Sequence, residues 1–328
     1  MNLSILATAL IVLYVVASIG YVYRWRGRAR YPSFSHYLRR SWPLLAPLNC
    51  LLYLATCGYA RRPVMDAAYL SGIAILRERW AQIRDEAFAL HLASESDATR
   101  TRHPAGRYDL AFRTFRKPGW KTFYLKWYGK PHRSARRLCP ESVRLLEQVP
   151  GIRAAMFSVL PAGDGLSLHA DPLACSLRYH LGLETPNSDR CFINVDGTQL
   201  SWRDGEDFVV DSTYPHYARN GSGELRLILV CEVDRPMNII GRAFSALYRV
   251  AARAMAEPNT PEDRRDWSGW LSTALASWRA IARKLKQPRG SAGVMLQLSF
   301  DAAIVVSAFL LAYSAVASMD GAALAAVP

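Results

Sequence analysis

"SLRYHLGLETPNSDRCFINVDGTQLSWRDGEDFVVDS", Ser176–Ser212, is the stretch whose reading decides the fold. It breaks into short β-prone runs, SLRYHLGL, RCFINVDG, QLSWRDG and EDFVVDS, separated by TPNSD and by Asp-Gly turns. Turn residues recurring every ~8–12 positions between such runs specify antiparallel strands of a sandwich or barrel. Upstream, WKTFYLKWY (Trp120–Tyr128) and AAMFSVL (Ala154–Leu160) continue the pattern. Downstream, ELRLILVCEV (Glu224–Val233) closes it, with PAGDG and NGSGE as further turns. From Trp120 to Pro236 the chain therefore reads as mainly β. Two packed antiparallel sheets, a double-stranded β-helix or jelly roll, fit this strand count and leave a mouth between the sheets.

Just before and within this stretch, "LHADPLACSLRYHLGLE", Leu168–Glu184, reads as apolar strand yet holds His169, Asp171, Arg178 and His180. Each would cost several kcal/mol, roughly 2–7, if buried without a partner. In an extended segment residues i and i+2 point the same way, so His169 and Asp171 can aim at one point. His216 follows at the end of EDFVVDSTYPH, and Arg226 opens the last apolar run, LRLILVCEV. Two histidines and a carboxylate on one face of a jelly roll form the facial triad of non-haem Fe(II) oxygenases. Such a triad leaves open positions for a bidentate 2-oxoacid and O₂. A buried arginine nearby would hold the far carboxylate of 2-oxoglutarate. Taken singly, each histidine also fits an ordinary core residue and Arg226 a structural ion pair; the set in this order fits the metal site.

The apolar residues concentrate at the chain ends. Leu3–Val22 is long enough to cross a bilayer, and Arg24, Arg26, Arg28 and Arg30 follow it. Basic residues after rather than before the run mark an uncleaved anchor with the body on the cytosolic side. Arg283, Lys284, Lys286 and Arg289 precede a second apolar run, Ala302–Ala317, expected either to span or to lie in the interface. WPLLAPLNCLLYLATCGY, Trp42–Tyr59, has arginine pairs on both sides and contains Pro43 and Pro47; it reads as interfacial or re-entrant. A helix is expected from Asp66, where Ile73, Leu76, Trp80, Ile83, Ala87 and Leu90 step by three and four. Ser94–Arg107 reads as a loop, and Met237–Met255 and Asp266–Lys286 as basic helices, the latter interfacial or packed on the body.

The 328-residue chain carries a net charge of +14, concentrated beside the apolar ends. That favours a membrane partner over nucleic acid, for which no binding signature exists. The six cysteines form no CxxC and no zinc spacing, as in reduced, buried thiols. No obligate protein partner is expected.

Ser158 in MFSVL, His169, Arg178 and His180 in SLRYH, His216, and Arg226 in LRLIL resemble the aspartyl/asparaginyl β-hydroxylase family of Fe(II)/2-oxoglutarate dioxygenases. GWKTFYLKWYGKPH, LHADPLACSLRYHLGLETPNSD, SWRDGE and VDRPM look like its bacterial lipid A 2-hydroxylase branch. The resemblance covers roughly Val22–Pro236 and is strongest from Gly119. It implies that His169, Asp171 and His216 hold iron and carry catalysis. Arg226 and Ser158 would bind the distal carboxylate of 2-oxoglutarate, with Arg178 and His180 near its metal-bound end. The founding animal enzymes have glycine where this chain has Asp171.

The expected organisation is an anchor (1–23), a basic and interfacial segment (24–62), and a dioxygenase domain (63–236) with a helical lead-in (66–92) and a cupin-like β-core (119–236). Amphipathic basic helices (237–290) and a C-terminal membrane segment (291–328) follow. The expected activity is hydroxylation of a lipid acyl chain, C2 of a secondary chain of lipid A, at the cytoplasmic face of a bacterial inner membrane. Alternatives are an ornithine-lipid acyl hydroxylase, an aspartyl/asparaginyl protein hydroxylase, and a non-catalytic membrane-tethered cupin-like binding module.

Overall fold

The computed structural model of the protein describes residues 3–96, 121–253 and 258–263, together with Met295 and Ser299. Among the described residues, ten strands form two antiparallel sheets. β1 (Val64–Met65), β2 (Lys121–Trp127), β3 (Ile152–Leu160), β5 (Ser176–Glu184), β8 (Asp207–Val210) and β10 (Arg226–Asp234) make a six-stranded sheet in the order β1-β8-β5-β10-β3-β2. β4 (Gly165–His169), β6 (Cys191–Val195), β7 (Thr198–Ser201) and β9 (His216–Asn220) make a four-stranded sheet in the order β4-β9-β6-β7. This is the jelly roll expected from the turn pattern, and its flanking helices were expected too.

Strand periodicity sorts the larger sheet into two faces. Odd positions of β5 and β10, Leu177, Tyr179, Leu181, Leu227, Leu229 and Cys231, join an apolar core with Ile83 and Ala87 of α5 (Trp80–Ser96) and Leu145 of α7 (Pro140–Glu147). Even positions face the smaller sheet: Ala154 and Met156 of β3 and Ile228 and Val230 of β10 pack with Ile193, Val195, Trp202 and Ala218. The same parity sends Ser158, Arg178, His180, Arg226 and Glu232 toward the inter-sheet space.

Three readings are corrected, and two helices are added. Leu168–Glu184 is not one strand: β4 ends at His169, residues 170–175 cross over, and β5 belongs to the opposite sheet. Pro172 interrupts the ladder, so His169 and Arg178 arrive at the site from different sheets. The helix expected from Asp66 is broken into a 3-10 turn (Ala67–Tyr69), α4 (Ala74–Glu78) and α5. Gly72, at φ +74°, separates the first pieces, and Arg79 leaves helical geometry before α5. Ser94–Ser96 belongs to α5 rather than to a loop. Between β2 and β3, α6 (Arg133–Leu138) and α7 were not anticipated; Glu86 of α5 caps α7 by accepting from the Glu141 and Ser142 N–H groups at 2.9 and 2.8 Å.

α1 (Leu3–Arg24) is the one helix among the described residues long and apolar enough to cross a membrane, with mean hydropathy 2.4. α2 (Phe34–Arg40), α3 (Ala46–Ala55) and α8 (Ile239–Arg253) follow in the flanks. The expected C-terminal segment (291–328), the Asp266–Lys286 helix and residues 97–107 lie outside the described residues, apart from positions 295 and 299.

Candidate metal centre

His169 and His216 are direct neighbours across the β4–β9 ladder, with ring centroids 4.2 Å apart. Each imidazole is fixed by a backbone carbonyl: His169 Nδ1 lies 2.7 Å from Ser167 O, and His216 Nδ1 lies 3.0 Å from Tyr214 O. Carbonyls only accept, so both Nδ1 atoms carry the proton and both Nε2 lone pairs stay free. Asp171 sits in the crossover, its N–H donating to Ser212 O at 2.8 Å and its carboxylate paired with Arg178 at 2.7 Å. One ligand atom from each of the three residues lies within 4.8 Å of the others.

The electrostatics suit a cation. Burial, reinforced by His216, pushes His169 down to about 3, and burial also lowers His216. Burial alone would raise Asp171, but chiefly the Arg178 guanidinium holds it below the usual carboxylate range. Two neutral imidazoles and one ionised carboxylate form a donor set for a divalent metal, so the residues present fit an Fe(II) ion.

Arg226 shares the cavity with the triad. It is 2 % exposed, donates to Ser158 Oγ at 3.2 Å and stands 4.3 Å over the Trp202 ring. Among the described residues no carboxylate pairs with it; its Nε has no partner, and burial pulls its pKa down to about 9. Trp202 Nε1–H donates to His180 Nδ1 at 3.3 Å, which leaves the orphaned, buried Nε2 of His180 as the protonated nitrogen. Burial, with Arg178 and Arg226 nearby, keeps His180 neutral. Gly182 makes this wall possible: a Cβ there would meet Arg203 O at 1.9 Å, so only glycine lets the turn after Trp202 close.

All seven residues singled out from sequence are thus gathered in one inter-sheet region. Six line the cavity, and Ser158 reaches it through Arg226. Arg178 does more than stand beside the triad: it bridges Asp171 and Glu232, the latter at 3.6 Å. Sequence reasoning missed Glu232, whose carboxylate also accepts the Tyr128 hydroxyl. Its even-numbered place on β10, in parity with Arg226, was the available signal.

A second buried cluster was missed altogether. Arg26, read from sequence only as one of the basic residues that follow the anchor, is 6 % exposed. It donates to Asp211 at 2.9 Å and to Thr213 O at 2.8 Å, and it is stacked between Tyr53 and Tyr214 at 3.8 and 3.7 Å. Arg235 binds both Asp211 oxygens, at 2.6 and 2.8 Å. The Asp211–His216 corner held this way supplies Ser212 O to Asp171 and Tyr214 O to His216.

Residues 77–236 match the Aspartyl/Asparaginyl beta-hydroxylase family. The triad, Arg178, His180 and Arg226 all fall inside this hydroxylase-family segment; Arg26 falls outside it. An ornithine lipid ester-linked acyl 2-hydroxylase of Rhizobium tropici is 33 % identical over 119 residues, 36 % of this chain and 42 % of that protein. The human aspartate beta-hydroxylase domain-containing protein 2 is 34 % identical over 112 residues, 32 % of this chain and 30 % of that protein. The chain thus spans less than half the length of these curated relatives. Among solved structures, a Pseudomonas putida prolyl-4-hydroxylase aligns with 56 % of this chain and 98 % of its own, at 16 % identity and a TM-score of 0.32.

Proposed function

We propose that the protein is a membrane-bound Fe(II)/2-oxoglutarate-dependent hydroxylase acting on C2 of a lipid acyl chain. The observation that carries the cosubstrate reading is Arg226, a buried guanidinium without a carboxylate partner among the described residues, in the same cavity as a His-Asp-His cluster. Such a cation calls for an anionic ligand. When bound, iron and 2-oxoglutarate supply O₂ activation coupled to decarboxylation, leaving succinate and a hydroxylated product. This chain's residues do the rest. His169, Asp171 and His216 would hold the metal, and Arg226 with Ser158 would hold the distal carboxylate. His180 Nε2–H, buried without a partner, would be free to donate to that ligand. Arg178 keeps Asp171 ionised and oriented, and Ile193, Ile228 and Val230 exclude water.

The lipid reading draws on α1, the basic residues behind it, and the R. tropici relative. By the charge rule the site faces the cytoplasm at a bacterial inner membrane. The sequence motifs favour lipid A; the R. tropici relative favours an ornithine lipid, which stands as the second reading. Mass spectrometry of lipids from cells with and without the gene separates them. One added oxygen on lipid A supports the first, one on ornithine lipid the second. No lipid change, with oxygen added to a protein aspartate or asparagine, overturns both. Asp171→Ala removes the one carboxylate of the triad and is expected to abolish both Co(II) binding, followed by its d–d absorption, and turnover. Retained metal binding would refute the triad.

A further inference from the structure

α1 has a companion. Two contacts join it to α3 in the same order along both: Tyr14 Oη donates to Pro47 O at 2.8 Å, and Arg26, just past α1, stacks on Tyr53. The two helices therefore run parallel, α3 beside the second half of α1. From Tyr14 to Arg24 the rise is about 15 Å, half a hydrocarbon core, and α3 has the same length. No charged residue occurs from Trp42 to Ala60. The outer side of this segment exposes Leu44 (44 %), Leu51 (54 %) and Leu54 (70 %). At its lower end Asn238 N–H donates to Ala55 O at 2.9 Å, which brings Ile239 and Ile240, each 74 % exposed, alongside. Arg61 folds back onto the carbonyls of Leu54 and Thr56 at the same level.

We propose that α3 is sunk in one leaflet beside α1, with lipid acyl chains covering Leu44, Leu51 and Leu54, and Ile239–Ile240 resting at the headgroup boundary. This rests on the reading of α1 as a membrane span. The two prolines fit that place: Pro43 and Pro47 carry no N–H, so the start of the segment brings fewer unpaired donors into hydrocarbon. The consequence reaches the metal centre. Asn49, buried on the inner side of α3, donates to Pro172 O and accepts from Ala174 N–H, both at 2.9 Å. A helix lying among acyl chains thus grips the crossover that carries Asp171, and an acyl chain approaches the site sideways from the leaflet, without leaving the bilayer.

The test is nitroxide depth measurement on the full chain in nanodiscs of phosphatidylethanolamine and phosphatidylglycerol. Leu51→Cys is labelled after replacing the partly exposed Cys50 and Cys57 with alanine, and Leu13→Cys and Gln199→Cys serve as span and water controls. The expected result is oxygen-preferring saturation at Leu51, as at Leu13, at a depth of about 5–10 Å below the phosphates. Nickel-chelate accessibility at Leu51 with a lipid-buried Leu13 overturns the leaflet placement alone. A water-exposed Leu13 overturns the span and this placement with it. A Leu51 label shielded from both reagents means protein covers α3, a second copy being the simplest cover, and also overturns it.

Discussion

Two buried arginine-containing regions, one at the corner after β8 and one between the sheets, have opposite electrostatics. In one, Asp211 is clasped by Arg26 and Arg235, all three 6 % exposed or less. In the other, Arg226 is as buried but meets only a serine hydroxyl and an indole face among the described residues. Burial alone therefore does not mark a functional arginine. The missing counter-charge separates the two: the first region is complete as folded, whereas the second leaves a buried cation that, under the proposed function, an anion would complete.

The largest expected effect breaks the first region. Asp211→Asn leaves two buried guanidinium groups unpaired and should lower stability by about 3–5 kcal/mol in urea unfolding at neutral pH. Arg235 and Arg26 outweigh burial and hold the Asp211 pKa below the ordinary carboxylate value. Its contribution is therefore present above the unfolded pKa and lost as pH falls through the folded one. The gap between wild type and Asp211→Asn should accordingly narrow only in strong acid. A gap already closed near pH 5 would contradict the pairing.

Next in size, Arg226→Leu should lose about 2–5 kcal/mol of 2-oxoglutarate binding, tens to thousands of fold in the concentration required. Its melting temperature should not fall, because no ion pair is broken. The non-reactive analogue N-oxalylglycine should raise the melting temperature of the wild type and leave that of the variant unmoved. A stability loss like that of Asp211→Asn would erase the distinction between the regions.

The smallest effect is Ser158→Ala. It removes one hydrogen bond to the guanidinium, roughly 1–2 kcal/mol. The 2-oxoglutarate requirement should rise about ten-fold with metal affinity unchanged; a variant weakened equally for Co(II) would mean that Ser158 supports the fold instead.

These two regions also divide what was legible in the sequence. Arg226 stood out because it opens a run of leucine, isoleucine and valine, where a charge is costly. His169, Asp171 and His216 stood out by residue type. The strands bordered by Asp-Gly and Asn-containing turns were readable because their chemistry is local. β4 and β9 were not: GLSLH and HYARN are short and half polar, and only their pairing makes them strands. Arg26 and Asp211 are 185 residues apart, and each alone looks like an ordinary surface charge. Their meeting is a product of tertiary packing, as is the bridge from Asp171 through Arg178 to Glu232.

The seating of Arg26 against the Asp211–Tyr214 corner bears on how such a gene can be inherited in pieces. A catalytic cassette cut at the start of the matched segment would arrive without the cation that holds the corner beneath both Asp171 and His216. Fusing it to an unrelated leader would restore tethering but not that corner. Recombination between relatives should then tolerate breakpoints ahead of Arg26 and purge those between Arg26 and β1, so that the residues just past the anchor travel with the jelly roll rather than with the membrane helix.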